Sequence, residues 1–242
     1  MTTNISMLAV DLSKGSFQVC AVRPDGSVLY NRALSRARFA ALLADQPACV
    51  VAMEACATSH HWGRVAQHNG HEVRLVPAVY VKPFVKRQKN DRADAEAIAE
   101  AASRPSMRFV TVKSAETQAR AVAFRTHQCL VRQRTQLINA QRGHLAEFGI
   151  VVPKGPANLE VLEEALADET SDLPAAVRAM GAIYLDQIAR LTDAIERLGD
   201  ELATASRTDT ELQRLCTILG IGPVTAGAVA PGSFAGEGEI LR

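Results

Sequence analysis

The chain of 242 residues predicts a mixed α/β sheet domain followed by long helices. Three observations carry this expectation. Short apolar runs separated by turn signals occupy the stretch up to Pro77, and they alternate with helical periodicity after the first three. Two of these runs end in a carboxylate. Beyond residue 113 the apolar spacing becomes that of helices, interrupted by Pro and Gly.

Taken in order, Ile5 to Asp11 is an apolar strand ending in an acid, and Ser16 to Val22 is a second with alternation. Pro24-Asp25-Gly26 signals a turn, and Ser27 to Arg32 completes a three-stranded meander. Ser35 is placed to cap a helix reaching Asp45, with Phe39, Leu42 and Leu43 as its apolar stripe. Ala48 to Glu54 is a nearly continuous apolar run, the pattern of a strand covered on both faces, and it too ends in an acid. Thr58 or Ser59 starts a helix that stops at Asn69-Gly70, and His71 to Val76 is a further strand closed by Pro77. A meander followed by helix, strand, helix, strand and helix predicts a mixed sheet with helices on both faces.

Residues 114–148 then read as a helix with Leu130, Leu137, Ile138 and Leu145 among its apolar positions. Pro153-Lys154-Gly155-Pro156 breaks it. A second helical stretch runs to Thr204 with Ile183, Ile188, Leu191, Ile195 and Leu198 at helical spacing. Two such helices form an antiparallel hairpin or a coiled coil, within the chain or between subunits. Leu215 to Ala226 has the pattern of a helix-hairpin-helix, in which Gly220 and Gly222 bring the backbone close to a phosphate and the following helix start presents free N–H groups. The alternative there is a plain helical packing corner.

Composition narrows the class. The hydrophobic share of 48% and charged share of 22% lead one to expect a soluble protein, with neither a membrane span nor secretion suggested. Cys20, Cys49, Cys56, Cys129 and Cys216 are scattered, without CxxC or zinc spacing, and fit reduced thiols in a cytosol. The net charge of +1 conceals segregation: 13 Lys/Arg face 5 Asp/Glu between Lys82 and Arg142, and the proportions reverse between Ala157 and Arg214. A basic middle of this kind suits a polyanion.

The candidate chemistry begins with Asp91 and Asp94 in Lys89-Asn90-Asp91-Arg92-Ala93-Asp94-Ala95, three residues apart at a helix start and so on one face. Like charges at that spacing call for a divalent cation; the alternative is Asp91 as N-cap and Asp94 as a first-turn acid. Asp11 and Glu54, at the carboxyl ends of apolar strands, add two acids where α/β sheets gather ligands. Carboxylates positioned together hold metals for phosphodiester chemistry, and an all-oxygen set selects Mg²⁺ or Mn²⁺ over Zn²⁺. His60, His61, His68 and His71 lack metal-site spacing and read as surface or phosphate-facing residues. The loop from Lys82 to Lys89 brings Lys82, Lys86, Arg87 and Lys89 up to the acidic pair, where they would draw in a nucleic acid backbone.

Val10-Asp11 with Lys14, Met53-Glu54-Ala55-Cys56 followed by His61-Trp62, and Lys89 to Ala95 resemble the DEDD transposases of bacterial insertion sequences, related to the Piv-type invertases, from residue 7 to about 230. The resemblance implies an α/β RNase H-like (RuvC-like) domain with a mixed sheet over 1–112, a long α-helical (coiled-coil) segment over 113–208, and a partial helical C-terminal domain over 209–242. It implies that Asp11, Glu54, Asp91 and Asp94 form the catalytic, metal-binding tetrad, and that Lys14 and Arg92 join the basic loop and Gly220 and Gly222 in touching nucleic acid. DNA as substrate, a guide RNA, self-association through the helical segment and residence at the bacterial nucleoid follow in the same way. The family's C-terminal serine nucleophile is not carried over: Ser233 lies too close to the hairpin and in another context, so the expectation is a C-terminally incomplete copy. Two rival readings are a catalytically inactive DNA- or RNA-binding remnant and an actin-like or sugar-kinase-fold ATPase. The latter wants Gly two residues after the first Asp, where this chain has Ser13.

Overall fold

The computed structural model describes residues 4–85, 90–155 and 158–229. Contacts divide the chain into two compact units, one ending at Gln118 and the next beginning at Ala119.

The first unit is built on a five-stranded mixed sheet. Strands β1 (Met7–Leu12), β2 (Ser16–Val22) and β3 (Val28–Ser35) form the antiparallel meander, and β4 (Val50–Glu54) and β5 (Glu72–Val76) run parallel to β1, giving the order β3-β2-β1-β4-β5. The meander turn closes at Gly26, whose φ of 83° is open to a residue without Cβ, while Asp25 Oδ1 accepts from the Ser27 amide at 2.9 Å. Helix α1 (Arg36–Asp45) is capped by Ser35, as its position predicts. Helix α2 (Ser59–His68) takes no side-chain cap from Thr58; Ser59 Oγ instead donates to the Cys56 carbonyl at 2.8 Å. The chain after β5 forms α3 (Ala78–Val81) and a 3-10 turn over Lys82–Phe84 where a basic loop was expected, and α4 (Asp91–Ala102) follows.

Side-chain alternation divides the sheet into two faces. Leu8, Val10, Phe17, Val19, Val51 and Met53 face α1 and α2, where Phe17, Phe39 and Trp62 pack with centroids 5.1–5.5 Å apart. The opposite face carries Met7, Ala9, Cys20, Ala52 and Val76 beneath Ala95, Ile98, Ala101 and Ala102 of α4. Small residues on both sides of that layer let the helix approach the sheet closely.

Helix α5 (Ala115–Ala146) starts at the end of the first unit and continues into the second. The expected single second helix is two: α6 (Leu159–Ala167) and α7 (Ala175–Thr208). Asp168 ends the first, its carboxylate taken by the Thr170 amide at 2.9 Å, and Pro174 sets up the second. Ile183, expected on the apolar stripe, is exposed. The buried seam of α7 is Gly181, Ile188, Ile195 and Leu202, a seven-residue repeat. Helices α5 and α7 pair antiparallel within the chain: Arg120 meets Asp209 at 2.6 Å, Arg134 Nη1 reaches Thr192 at 3.4 Å and His144 reaches Tyr184 at 3.3 Å. Ile138, Leu145, Leu162, Leu166 and Ile188 close the core at the α6 end. Asp209 caps α8 (Thr210–Cys216), which packs on α9 (Pro223–Val229) through Leu212 and Ala226.

Candidate metal centre

Asp11 and Glu54 come to one edge because β1 and β4 are parallel neighbours paired through Val10 and Met53, one residue short of each acid. Alternation puts both carboxylates on the face that also carries Ala9 and Ala52, beneath α4. The helix then delivers the other two. Asn90, not Asp91, is the N-cap: its side chain accepts from the Ala93 amide at 2.9 Å, which leaves Asp91 and Asp94 inside the first turn. The capping role that Asp91 could have had is therefore filled, and its carboxylate is released toward the sheet edge.

One carboxylate oxygen from each of Asp11, Asp91 and Asp94 lies within 4.8 Å of the others. Glu54 is outside that set of three but within reach of its field. Burial raises the Asp11 carboxyl above the usual range, and the charges of Asp94 and Asp91 add to this. Burial likewise raises Glu54, reinforced by Asp11 and Asp94 and opposed by Lys82. Anions so crowded are costly to ionise without a cation. The donors are all carboxylate oxygens, with no thiol or imidazole among the three, which fits a hard divalent ion.

Of the cations singled out in the sequence, Lys82 begins the 3-10 turn close enough to influence Glu54, and Lys14 is exposed in the β1–β2 turn. Arg92 points its Nε and Nη2 at the backbone carbonyl of Asn31, at 3.3 and 3.0 Å. Lys86, Arg87 and Lys89 lie outside the described residues, as does Ser233. In the helical unit Gly220 has φ 87°, Gly222 accepts the Ala226 amide at 2.8 Å, and a Cβ at either glycine would meet open space.

The histidines divide differently from expectation. His61 and His68 are exposed, whereas His60 and His71 are buried and serve the fold. His71 Nδ1 accepts from the Cys49 amide at 3.3 Å, so its Nε2 donates to the Leu43 carbonyl at 2.8 Å. His60 Nδ1 accepts from the Lys113 amide at 3.2 Å. Asn31 on β3 and Gln18 on β2, both buried and polar, are not among the residues that the sequence singles out. Their signal was polar character at inward positions of apolar strands.

Fold and site together define an α/β protein with an acidic, all-oxygen centre at the carboxyl edge of its sheet. A family model described as Transposase, of the IS110-type DEDD class, matches residues 8–150. A Pseudomonas aeruginosa protein named "Probable family 20 transposase" is 43% identical over 99% of this chain and 71% of its own length. The transposase for insertion sequence element IS1328 of Yersinia enterocolitica is 39% identical over 94% of this chain and 67% of its own. That for IS1111A of Coxiella burnetii is 38% identical over 98% and 64%. The chain belongs to the IS110-type family of insertion-sequence transposases. No helix among the described residues is long and apolar enough to cross a membrane.

Proposed function

We propose that this chain is a metal-dependent DNA recombinase of an insertion sequence, with Asp11, Glu54, Asp91 and Asp94 as its Mg²⁺ or Mn²⁺ site on an RNase H-like (RuvC-like) domain. The observation that carries the reading is the convergence of three carboxylate oxygens within 4.8 Å at the edge where Glu54 also stands. A divalent ion bound there would supply Lewis-acid stabilisation of phosphodiester oxygens and activation of an attacking oxygen. Asp11 and Glu54 hold their side of such a site on rigid strands. Asp91 and Asp94 hold the other on one helical turn, fixed by the Asn90 cap.

Lys14 and Lys82 stand where a DNA backbone would pass the acids, and Lys86, Arg87 and Lys89 extend that approach in sequence. Gly220 and Gly222 supply a second backbone contact of helix-hairpin-helix kind in a separate C-terminal segment over 209–242, following a helical segment over 113–208 and the catalytic domain over 1–112. A guide RNA and self-association, with action at the nucleoid, rest on the family resemblance. Membership of the transposase family leaves the ATPase reading without support.

Asp94→Asn tests the site. It is expected to abolish Mn²⁺ binding in a calorimetric titration. It should also lower Mg²⁺-dependent DNA cleavage by more than the roughly 10–100-fold that follows loss of an outer partner of a metal ligand. Mn²⁺ binding equal to that of the unaltered protein would overturn the metal reading. Salt-sensitive DNA binding that persists without any metal affinity would favour the binding remnant.

A further inference from the structure

We propose that Asn31 is the positioning residue of the acidic centre, locking the first turn of α4 to the sheet so that Asp91 and Asp94 face Asp11. The inference rests on the metal reading above and names how the site is held.

Asn31 lies on β3, two strands away from Asp11, and is 8% exposed. Every polar atom of its side chain is engaged. Its Oδ1 accepts from Gln18 Nε2 at 2.7 Å, and Gln18 is the direct cross-strand partner of Asp11 in the β1–β2 register. Its Nδ2 donates to the Arg92 carbonyl at 2.9 Å and to Glu96 Oε1 at 3.2 Å. Its own backbone carbonyl accepts from the Arg92 guanidinium. An uninterrupted chain of hydrogen bonds thus runs from the residue beside Asp11, through Asn31, into the helical turn between Asp91 and Asp94.

That placement has a physical purpose. The first turn of any helix is its least tied segment on the N–H side, and here it also carries two acids that repel Asp11. Left to itself it would fray or tilt away from the sheet. The Asn31 amide grips a carbonyl of that turn, and the Arg92 guanidinium grips β3 in return, so one pair of residues makes reciprocal bonds across the gap. Arg92, between the two acids in sequence, uses two of its donors in this clamp.

The same helix supplies a control. At its other end Arg74 Nη1 donates to the Ala102 carbonyl at 3.0 Å, an equivalent helix-to-sheet bond far along the helix from the acids. The experiment compares Asn31→Leu with Arg74→Leu in the full chain, reading Mn²⁺ affinity by calorimetry and amide exchange along α4 in metal-free protein. Asn31→Leu is expected to weaken Mn²⁺ binding by roughly 10–100-fold, the range for outer partners of metal ligands. It should speed exchange at Asp94 and Ala95 at least tenfold while the amides near Ala101 keep their protection. Arg74→Leu is expected to do neither. Should Asn31→Leu fail to fold, Asn31→Ser, which leaves room for water, carries the same expectations. Equal losses of Mn²⁺ affinity in the Asn31 and Arg74 variants, or unchanged exchange at Asp94, would overturn the proposal. Asp94→Asn is run alongside: if it leaves Mn²⁺ binding intact, the metal reading itself fails. If it abolishes binding while Asn31→Leu is silent, only the positioning role fails.

Discussion

Asp11 and Asp209 show two opposite uses of the same side chain. Asp11 ends a strand among other carboxylates, and burial and their charges raise it. Asp209 begins a helix, accepts from the amides of Glu211 and Leu212 at 2.9 and 3.2 Å, and meets Arg120 at 2.6 Å; these bonds lower it, the Leu212 amide most. At the sheet edge negative charge is concentrated against its own preference, whereas at the start of α8 it is answered by two amides and a guanidinium. Charge that a fold strains to hold is a candidate for chemistry, and charge that it satisfies is more often architecture.

The polar groups of the helical seam complicate that contrast. His127 Nδ1, Arg134 Nε and both amide atoms of Gln141 are buried without a hydrogen-bond partner among the described residues, and these three recur every seven residues along α5. Gln141 is 1% exposed. Trp62 Nε1 in the sheet core is likewise without a partner among the described residues, but the α5–α7 seam gathers more such atoms. A buried polar position in a helical seam fixes register at a cost in stability.

The largest expected effect separates the units by ligand. Mn²⁺ at about 100 times its Kd should stabilise the protein by about 2.7 kcal/mol, seen as slower amide exchange in β1, β4 and α4 but not in α7. Asp11→Asn should erase this, and equal protection of both units would break the contrast. Next, Asp209→Ala should destabilise the helical unit by about 1–2 kcal/mol through loss of the cap, with Asp209→Asn less harmful because Asn also caps well; chemical denaturation followed by exchange in α8 reads this out. Gln141→Leu should then raise the stability of the α5–α7 pair by about 1 kcal/mol, since an unanswered buried amide is removed. A loss instead would show that its polar atoms are answered by water.

The smallest effect is one of sign with pH. Asp11 and Glu54 have raised values, so the folded sheet unit binds these protons more tightly than the unfolded chain. Their contribution to stability in metal-free protein falls as pH rises from the unfolded value through the folded one. Asp209 is lowered, so its contribution is present above the unfolded value and is lost as pH falls through the folded one. Exchange in β1 and β4, set against exchange in α8, should show slopes of opposite sign between about pH 3 and pH 7, and a common slope would dissolve the distinction.

The strands that carry Asp11 and Glu54 were legible because a strand covered on both faces must be apolar along its length, and an acid ending such a run stands out. The acidic helix start was legible too, with Asp91 as N-cap in one of its two readings; the cap is Asn90, an equally good capping residue one position earlier. The break between α6 and α7 was written in Asp168, Thr170, Ser171 and Pro174, yet helical periodicity on either side masked it. The inward polarity of Asn31 was visible, but its link to α4 was not, since its partners on that helix lie 61 and 65 residues away and local pattern says nothing of such distances. Nor could pairing of α5 with α7 inside one chain be told from pairing between chains, because the apolar spacing is the same for both.

If the acidic centre holds a metal as proposed, the alanine-lined contact between α4 and the sheet has a consequence for ion choice. Ala9 and Ala52 beneath, and Ala95 and Ala101 above, act as shims that set how far Asp91 and Asp94 stand from Asp11. Mg²⁺ demands ligands at about 2.0–2.1 Å in near-octahedral array, while Ca²⁺ accepts about 2.3–2.6 Å and looser geometry. Thickening a shim, as in Ala52→Val, would widen the cage without touching a ligand. On the metal reading proposed above, discrimination between cations would rest on uncharged methyl groups.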